Sequence, residues 1–229
     1  MHALADLPEK VVASGEELRE TLLIERGAER WTRAQDELVV VSAYFVPGKG
    51  GVEQLAGVVE RGARVRVLTN SLAATDVPAV HAGYEGYREP LLRGGVELYE
   101  LRPSGGVVIE AHRQGLLGSS SASLHAKTFV ADRELVFVGS FNLDPRSINL
   151  NTELGLVVES PETAARLVDR FEEAVQPGVS WRLALDDGGL AWEGEQDGET
   201  VLLRDEPDAT WKARLAVRVL GWLPIEGQL

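Results

Sequence analysis

Residues 124–153 read LHAKTFVADRELVFVGSFNLDPRSINLNTE, and their pattern decides how the rest of the chain is read. Two short apolar runs, 126–130 and 135–138, flank the polar turn ADRE, so they are predicted as adjacent strands. His125, Lys127 and Asp132 stand in the spacing H-x-K-x-x-x-x-D. Beyond the second run come Gly139, Ser140, Asn142, Asp144, Arg146, Ser147, Asn151 and Glu153. Side chains two apart on a strand point to one face, so His125 and Lys127 project together.

An imidazole beside a fixed ammonium suits a phosphate ester. The lysine offsets the ester's negative charge, and the imidazole can attack phosphorus or move a proton. Ser140 and Asn142 add neutral donors for non-bridging oxygens as charge builds on them. Gly139 lets the backbone come close. Glu153 can accept the second imidazole N–H and so fix the tautomer. Taken singly, each residue has an ordinary explanation. A histidine on a strand is usually structural and a lysine usually solvated. Asp132 reads as a turn former whose part even in a working site is largely structural. Co-occurrence in a set order is what points to a site.

Working outward, residues 38–45 (LVVVSAYF) read as a strand buried on both faces. An amphipathic helix over 52–62 and a strand over 65–69 follow, which makes a strand–helix–strand unit with parallel strands. A polar loop leads into helical sequence from 78 to a Gly94-Gly95 stop, then a strand over 96–101. The glycine- and serine-rich segment 103–123 reads as a long loop. After the central stretch come a strand over 153–158 and a helix from Pro161 to about 175. Then strands at 181–185 and 190–193 flank Asp-Asp-Gly-Gly, a hairpin signal, with a third strand at 200–203. A helix over 208–223, with Asp208 as its N-cap, closes the chain. Upstream, 15–37 is helical with Leu18, Leu22, Leu23 and Trp31 as its apolar stripe. Three regions are expected: a linker over 1–14, the main domain over 15–178, and a meander plus helix over 179–229 packed on it.

The chain has 229 residues, 44% of them hydrophobic, enough for a core of its own. With no cysteine, disulfides and thiolate chemistry are excluded. No apolar run approaches the ~20 residues that cross a bilayer, and the first residues lack the features of a signal peptide. A formal net charge of -13 argues against nucleic acid as a partner. It also means that contact with an anionic membrane must come from a local basic patch. One such place is the 211–222 stretch, where Trp211, Leu215, Val219 and Trp222 share a face with Lys212, Arg214 and Arg218 around it. That helix either docks on the domain or lies in a headgroup layer.

The ordered pattern of residues 125–153 resembles the HKD motif of the phospholipase D superfamily, including the trailing G-S-x-N-x-D-x-R-S-x-x-x-N-x-E. SAYFVPGKGG at 42–51, the 65–101 stretch and WKARLAVRVLGWLPIE at 211–226 extend the likeness to the C-terminal half of the bacterial cardiolipin synthases, most of all the cardiolipin synthase C subgroup. The resemblance implies an α/β fold: an α-β-α sandwich with a mixed, largely parallel sheet, here a single HKD half with a C-terminal hairpin and helix. It implies two HKD motifs sharing one site. One histidine becomes a phosphohistidine and the other protonates the leaving alcohol, with no metal or cofactor. His125, as the second motif, would be the acid/base. Lys127 and Asn142 would bind phosphate, with Ser140 assisting and Glu153 orienting His125. Asp132 completes the motif. The implied substrates are phospholipids of phosphatidylglycerol type. The implied place is the cytoplasmic face of the plasma membrane, as a peripheral protein.

The chain departs from that pattern in carrying one HKD motif. His2, His81 and His112 lack a lysine two positions on. It can be the C-terminal part of a two-motif phosphatidyltransferase, a phosphodiesterase or nuclease that pairs two copies of His125 in a homodimer, or an inactive remnant; the first is favoured. Secondary site candidates are His81 as a headgroup contact, Ser71 and Asn70 as pocket donors, and Tyr44 as a pocket wall. Each competes with a packing role.

Overall fold

The apolar runs of the sequence become the strands of one ten-stranded sheet, ordered β1-β7-β6-β5-β2-β3-β4-β8-β9-β10. The computed structural model describes residues 1–11, 30–103 and 124–221. The expected stripe at Leu18, Leu22 and Leu23, the 103–123 loop beyond its first residue, His112 and Trp222 lie outside the described residues.

Strand β2 (Glu37–Ser42) runs parallel to β3 (Arg64–Asn70), and helix α1 (Gly48–Glu60) connects them. Gly62 has φ +102, a left-handed conformation that stops α1 and turns the chain into β3. The sequence between Pro78 and Arg93 forms two helices rather than one, α2 (Pro78–Glu85) and α3 (Arg88–Arg93), broken at Gly86 and Tyr87. Strand β4 (Glu97–Leu101) then adds parallel to β3.

The sheet is mixed as expected, but among its described strands parallel pairing is confined to β2, β3 and β4. The remaining pairings are antiparallel, so "largely parallel" does not hold. The cause is connection length. A tight turn joins β5 (Lys127–Ala131) to β6 (Leu135–Gly139), and short turns join β8 (Ser180–Asp186), β9 (Gly189–Gln196) and β10 (Glu199–Leu203). Only antiparallel neighbours can be linked that way.

Helices cover both faces. Leu38, Val40, Val67, Leu98, Phe129 and Phe137 pack with Leu55 and Val58 of α1 and Leu91 of α3. On the other face Val39, Leu68, Tyr99, Val130 and Val136 pack with Ala164, Val168 and Phe171 of α5 (Pro161–Ala174). This is the α-β-α sandwich expected from the sequence. Trp31 stacks on Phe129 with ring centroids 5.2 Å apart, which anchors Trp31 in the first core.

The first residues are not a linker. β1 (His2–Ala5) pairs antiparallel with β7 (Leu154–Glu159) at the sheet edge, and a single 3-10 turn follows at Pro8–Val11. What fixes them is a buried ion pair, Lys10 Nζ to Asp6 Oδ2 at 2.6 Å. At the other edge the meander continues the same sheet, because β8 pairs with β4. The last described helix, α6, is Trp211–Leu220 and is capped by Thr210, whose hydroxyl accepts from Ala213 N at 3.2 Å. Asp208 is not the cap. Its carboxylate instead accepts from Arg102 Nε and Trp181 Nε1.

Candidate active site

The site lies where β5 begins. Lys127 is the first residue of β5 and is 9% exposed, while His125 sits just before the strand and is exposed. Lys127 Nζ donates to the His125 carbonyl at 3.0 Å. It also lies 5.9 Å from the centre of the Tyr44 ring. Burial lowers the lysine's pKa, and Glu153, Asp144 and Asp76 act against that shift. An ammonium that is partly desolvated and ringed by carboxylates is poised to gain from an incoming phosphate.

Tyr44 is half-buried and holds the loop after β3 in place. Its hydroxyl donates to Asp76, with Oδ1 at 3.0 Å and Oδ2 at 3.1 Å. Burial, and then that hydrogen bond, push the phenol up to about 12. The Tyr44 N–H donates to Asn142 Oδ1 at 3.4 Å, which leaves the Asn142 amide nitrogen as its donor end. Asn142 N–H points to Ser147 Oγ at 3.4 Å. Ser147 lies in α4 (Pro145–Asn149), where its backbone N–H is capped by Asp144 Oδ1 at 2.8 Å. Ser42 ties the two loops together, donating to Tyr44 O at 2.6 Å and accepting from Leu143 N at 3.1 Å. These contacts bring Lys127, Tyr44 and Asn142 together beside the exposed His125.

Residues 28–175 match the family model described as "Cardiolipin synthase, PLD-like domain". The chain belongs to this family. It is 44% identical over 224 residues to cardiolipin synthase C of Escherichia coli K12, covering 97% of this chain and 47% of that protein. It is 28% identical over 204 residues to cardiolipin synthase B of the same strain, covering 84% of this chain and 40% of that protein. The chain thus spans about half the length of the curated relatives it matches. Two solved structures share the fold. The phosphatidylserine synthase of Haemophilus influenzae superposes with a TM-score of 0.57 at 17% identity, over 99% of this chain and 47% of that one. The phospholipase D family member Nuc from Salmonella typhimurium gives 0.52 at 16%, over 75% and 91%.

Within this phospholipase D-like domain several expected site residues take other places. Asp132 is at the far end of β5 from Lys127. With φ 52, it turns its carboxylate onto the backbone N–H groups of Gln35, Asp36 and Glu37 at 2.8–3.1 Å. It fixes the start of β2. Glu153 is buried, but its carboxylate takes the Ser140 hydroxyl, and among the described residues no hydrogen bond joins it to His125. Asp6 holds the Glu153 backbone on both sides, accepting from Glu153 N at 2.8 Å and donating its own N–H to Glu153 O at 2.9 Å. Gly139 is glycine for packing. A Cβ there would lie 2.4 Å from the Leu154 carbonyl and 2.9 Å from the Phe137 ring. Its partner across the strands is Gly155, also beneath that ring.

His81 is not a headgroup contact. It is 3% exposed, and its Nε2 lies 2.8 Å from Arg88 Nη2 and 3.5 Å from Glu206 Oε1. Arg88 also reaches Glu100 Oε1 at 2.9 Å and Glu206 Oε1 at 2.5 Å. His81, Glu85 and Glu206 bring ligand atoms within 4.8 Å of one another, but the Arg88 guanidinium already occupies His81 and Glu206. Its fixed charge opposes a second cation. Ser71 is fully buried and cannot meet a ligand at the surface. Asn70 belongs to the scaffold. Its amide donates to Ala43 O and Leu124 O, each at 3.1 Å.

Nothing in the sequence pattern marks Asp76, Ser42, Asp6 or Lys10. None stands at a telling spacing from its partner: Asp76 meets Tyr44 across 32 positions, and Lys10 reaches Ser147 O across 137. The local spacings, Lys10 four residues after Asp6 and Ser42 two before Tyr44, are common on any turn.

Proposed function

We propose that the chain is one half of a phospholipase D-like phosphatidyltransferase of the cardiolipin synthase type, completed by a second HKD-bearing half. The observation that carries this is the contrast between Lys127 and His125. The chain buries and positions the phosphate-binding ammonium by itself, yet leaves the imidazole next to it exposed. A site finished within this chain would be expected to enclose both.

In this reading the histidine of the other half attacks phosphorus through a ring nitrogen. The P–O bond to the leaving alcohol breaks, and His125 gives that oxygen its proton. A phosphohistidine results. The incoming alcohol then loses its proton to His125, its oxygen forms a new P–O bond, and the P–N bond breaks. Lys127 and the Asn142 amide hold the non-bridging oxygens, and Ser140 assists. The proposed substrate is a phosphatidylglycerol-like diester, in keeping with the cardiolipin synthase relatives, and the proposed working place is a membrane surface.

The second half has a place to dock. Val138, Leu154 and Leu156 are 46%, 59% and 43% exposed. Val138 pairs with Leu156, so these side chains share the α5 face of the sheet, at the end that leads into Ser140. Three large exposed aliphatics beside an unfinished site fit a surface meant to be covered.

His125→Asn, assayed for phosphatidyl transfer and diester hydrolysis with and without a supplied N-terminal half, tests the reading. Turnover that needs both halves and His125 supports it. Turnover by the chain alone, rising with the square of its concentration, would assign the opposite wall to a second copy. His125-independent turnover, or none under any condition, overturns it.

A further inference from the structure

Among the described residues, helix α6 (Trp211–Leu220) rests on the domain through one face. Val217 is fully buried against Leu72 and Ala82, with Ala213 and Leu220 beside it. The opposite face carries Trp211, Leu215 and Val219, which are 69%, 53% and 51% exposed. At ~100° of turn per residue these three fall within an arc of about 80°. On the same wheel Arg218 lies just to one side of the arc and Lys212 just to the other, and both are exposed. Lys212 Nζ sits 5.8 Å from the Trp211 ring. The helix contains Lys212, Arg214 and Arg218 and no acidic residue, on a chain of net charge -13.

We propose that this outer face of α6 is a docking surface for an anionic phospholipid bilayer. The apolar stripe would enter the acyl boundary, and Lys212 and Arg218 would meet lipid phosphates on its two sides. Tryptophan is favoured at that depth, and lysine and arginine can reach outward from it. Charge complementarity selects this occupant: a local basic helix on an acidic protein is drawn to an anionic surface that the rest of the chain repels. A second copy of the chain fits less well, because three side chains offer little of the ~800 Å² per partner that stable protein interfaces bury.

The placement is also directed. Leu72, which α6 covers, belongs to the loop after β3. Four residues later in that loop Asp76 holds the Tyr44 hydroxyl beside Lys127. A bilayer meeting α6 therefore meets the molecule next to the loop that walls the site. The proposal rests on the functional reading only for where the substrate resides. Its test needs no turnover, so the two can fail separately.

The test is flotation of the 229-residue chain with vesicles of phosphatidylglycerol and phosphatidylcholine, and with vesicles of phosphatidylcholine alone. Binding is expected to anionic vesicles, weakening with salt. Trp211→Glu with Leu215→Glu should reduce it by about tenfold or more, and Lys212→Glu with Arg218→Glu should remove its dependence on phosphatidylglycerol. Circular dichroism and sedimentation of each variant keep loss of binding apart from loss of fold. Should a variant be misfolded, Leu215→Gln alone reads the same face. Equal flotation of folded variants and wild type overturns the proposal. So does a change in the variants' oligomeric state without a change in vesicle binding, which would make this face a protein interface.

Discussion

Asn70 grips Leu124 by both ends of its side-chain amide. Its Oδ1 accepts from Leu124 N at 2.8 Å and its Nδ2 donates to Leu124 O at 3.1 Å. The buried carboxamide thus stands in for a strand neighbour immediately before His125, and sets the path by which the imidazole leaves the sheet.

Replacing Asn70 by Ala should cost about 1–3 kcal/mol, since it removes buried hydrogen bonds to the backbone of Leu124 and Ala43. Urea denaturation reads that loss. In the completed enzyme the same change should lower kcat more than it raises KM, because it misplaces His125 and leaves Lys127 in β5.

Arg88→Met should destabilise far more, by about 3–5 kcal/mol. It leaves Glu100, which is fully buried, without its cation. Burial already raises the Glu100 carboxyl, with Arg88 acting against that. Adding Glu100→Gln should recover part of the loss, because the amide has no charge to desolvate. Thermal melts of both variants check this.

The same cluster sets an acid limb. Burial alone would raise the Glu206 carboxyl, but Arg88 and His81 bring it from its ordinary 4.5 to about 2. A lowered carboxyl stabilises the fold at pH above its unfolded value. That contribution should be present above 4.5 and disappear as the pH falls toward 2. Stability measured across that window should slope less in Glu206→Gln than in the wild type.

Tyr44 predicts an alkaline counterpart. Its phenol is raised from 10.0 to about 12, first by burial and then by Asp76. A raised acid favours folding below the unfolded value, and the benefit goes as pH climbs from 10.0 through about 12. Difference absorbance against Tyr44→Phe should place this phenolate above pH 10.0, and Asp76→Asn should move it down.

The exposed aliphatics of the β6–β7 face predict a separation of effects. Val138→Lys with Leu156→Glu, which sets opposite charges on facing residues, should leave the lone chain's stability within about 0.5 kcal/mol, as substitutions at exposed positions usually do. It should abolish association with a supplied N-terminal half, read by sedimentation.

The strands were legible because β-branched runs such as 38–42 and 65–69 carry their own signal, and the HKD spacing marked Lys127, Asn142 and His125 as one place. Sheet order was not legible. β5 lies between β6 and β2, and nothing local to residues 127–131 says that Val40 will sit opposite Phe129. The polar scaffold was hidden for the same reason. Asp132 looks like a turn residue and is one, but its carboxylate serves backbone N–H groups 95–97 positions away. Helix α4 was missed because five residues beginning at Pro145 are too few to show a period. Glu153 read as a partner for His125 because nothing in the spacing shows that its carboxylate takes the Ser140 hydroxyl, 13 positions earlier.

Strand β5 carries Lys127 at one end and leads to Asp132 at the other, so a motif named for its residues spans two different duties. In the completed two-half enzyme proposed above, loss of His125 should silence turnover outright. Loss of Asp132 should leave slow but real turnover in whatever fraction stays folded. Inside a cell the ranking can close up, because a chain that opens more often is cleared by proteases sooner. A growth-based mutational scan would then score the two positions alike, and only half-life measured beside specific activity would tell a lost reaction from a lost protein.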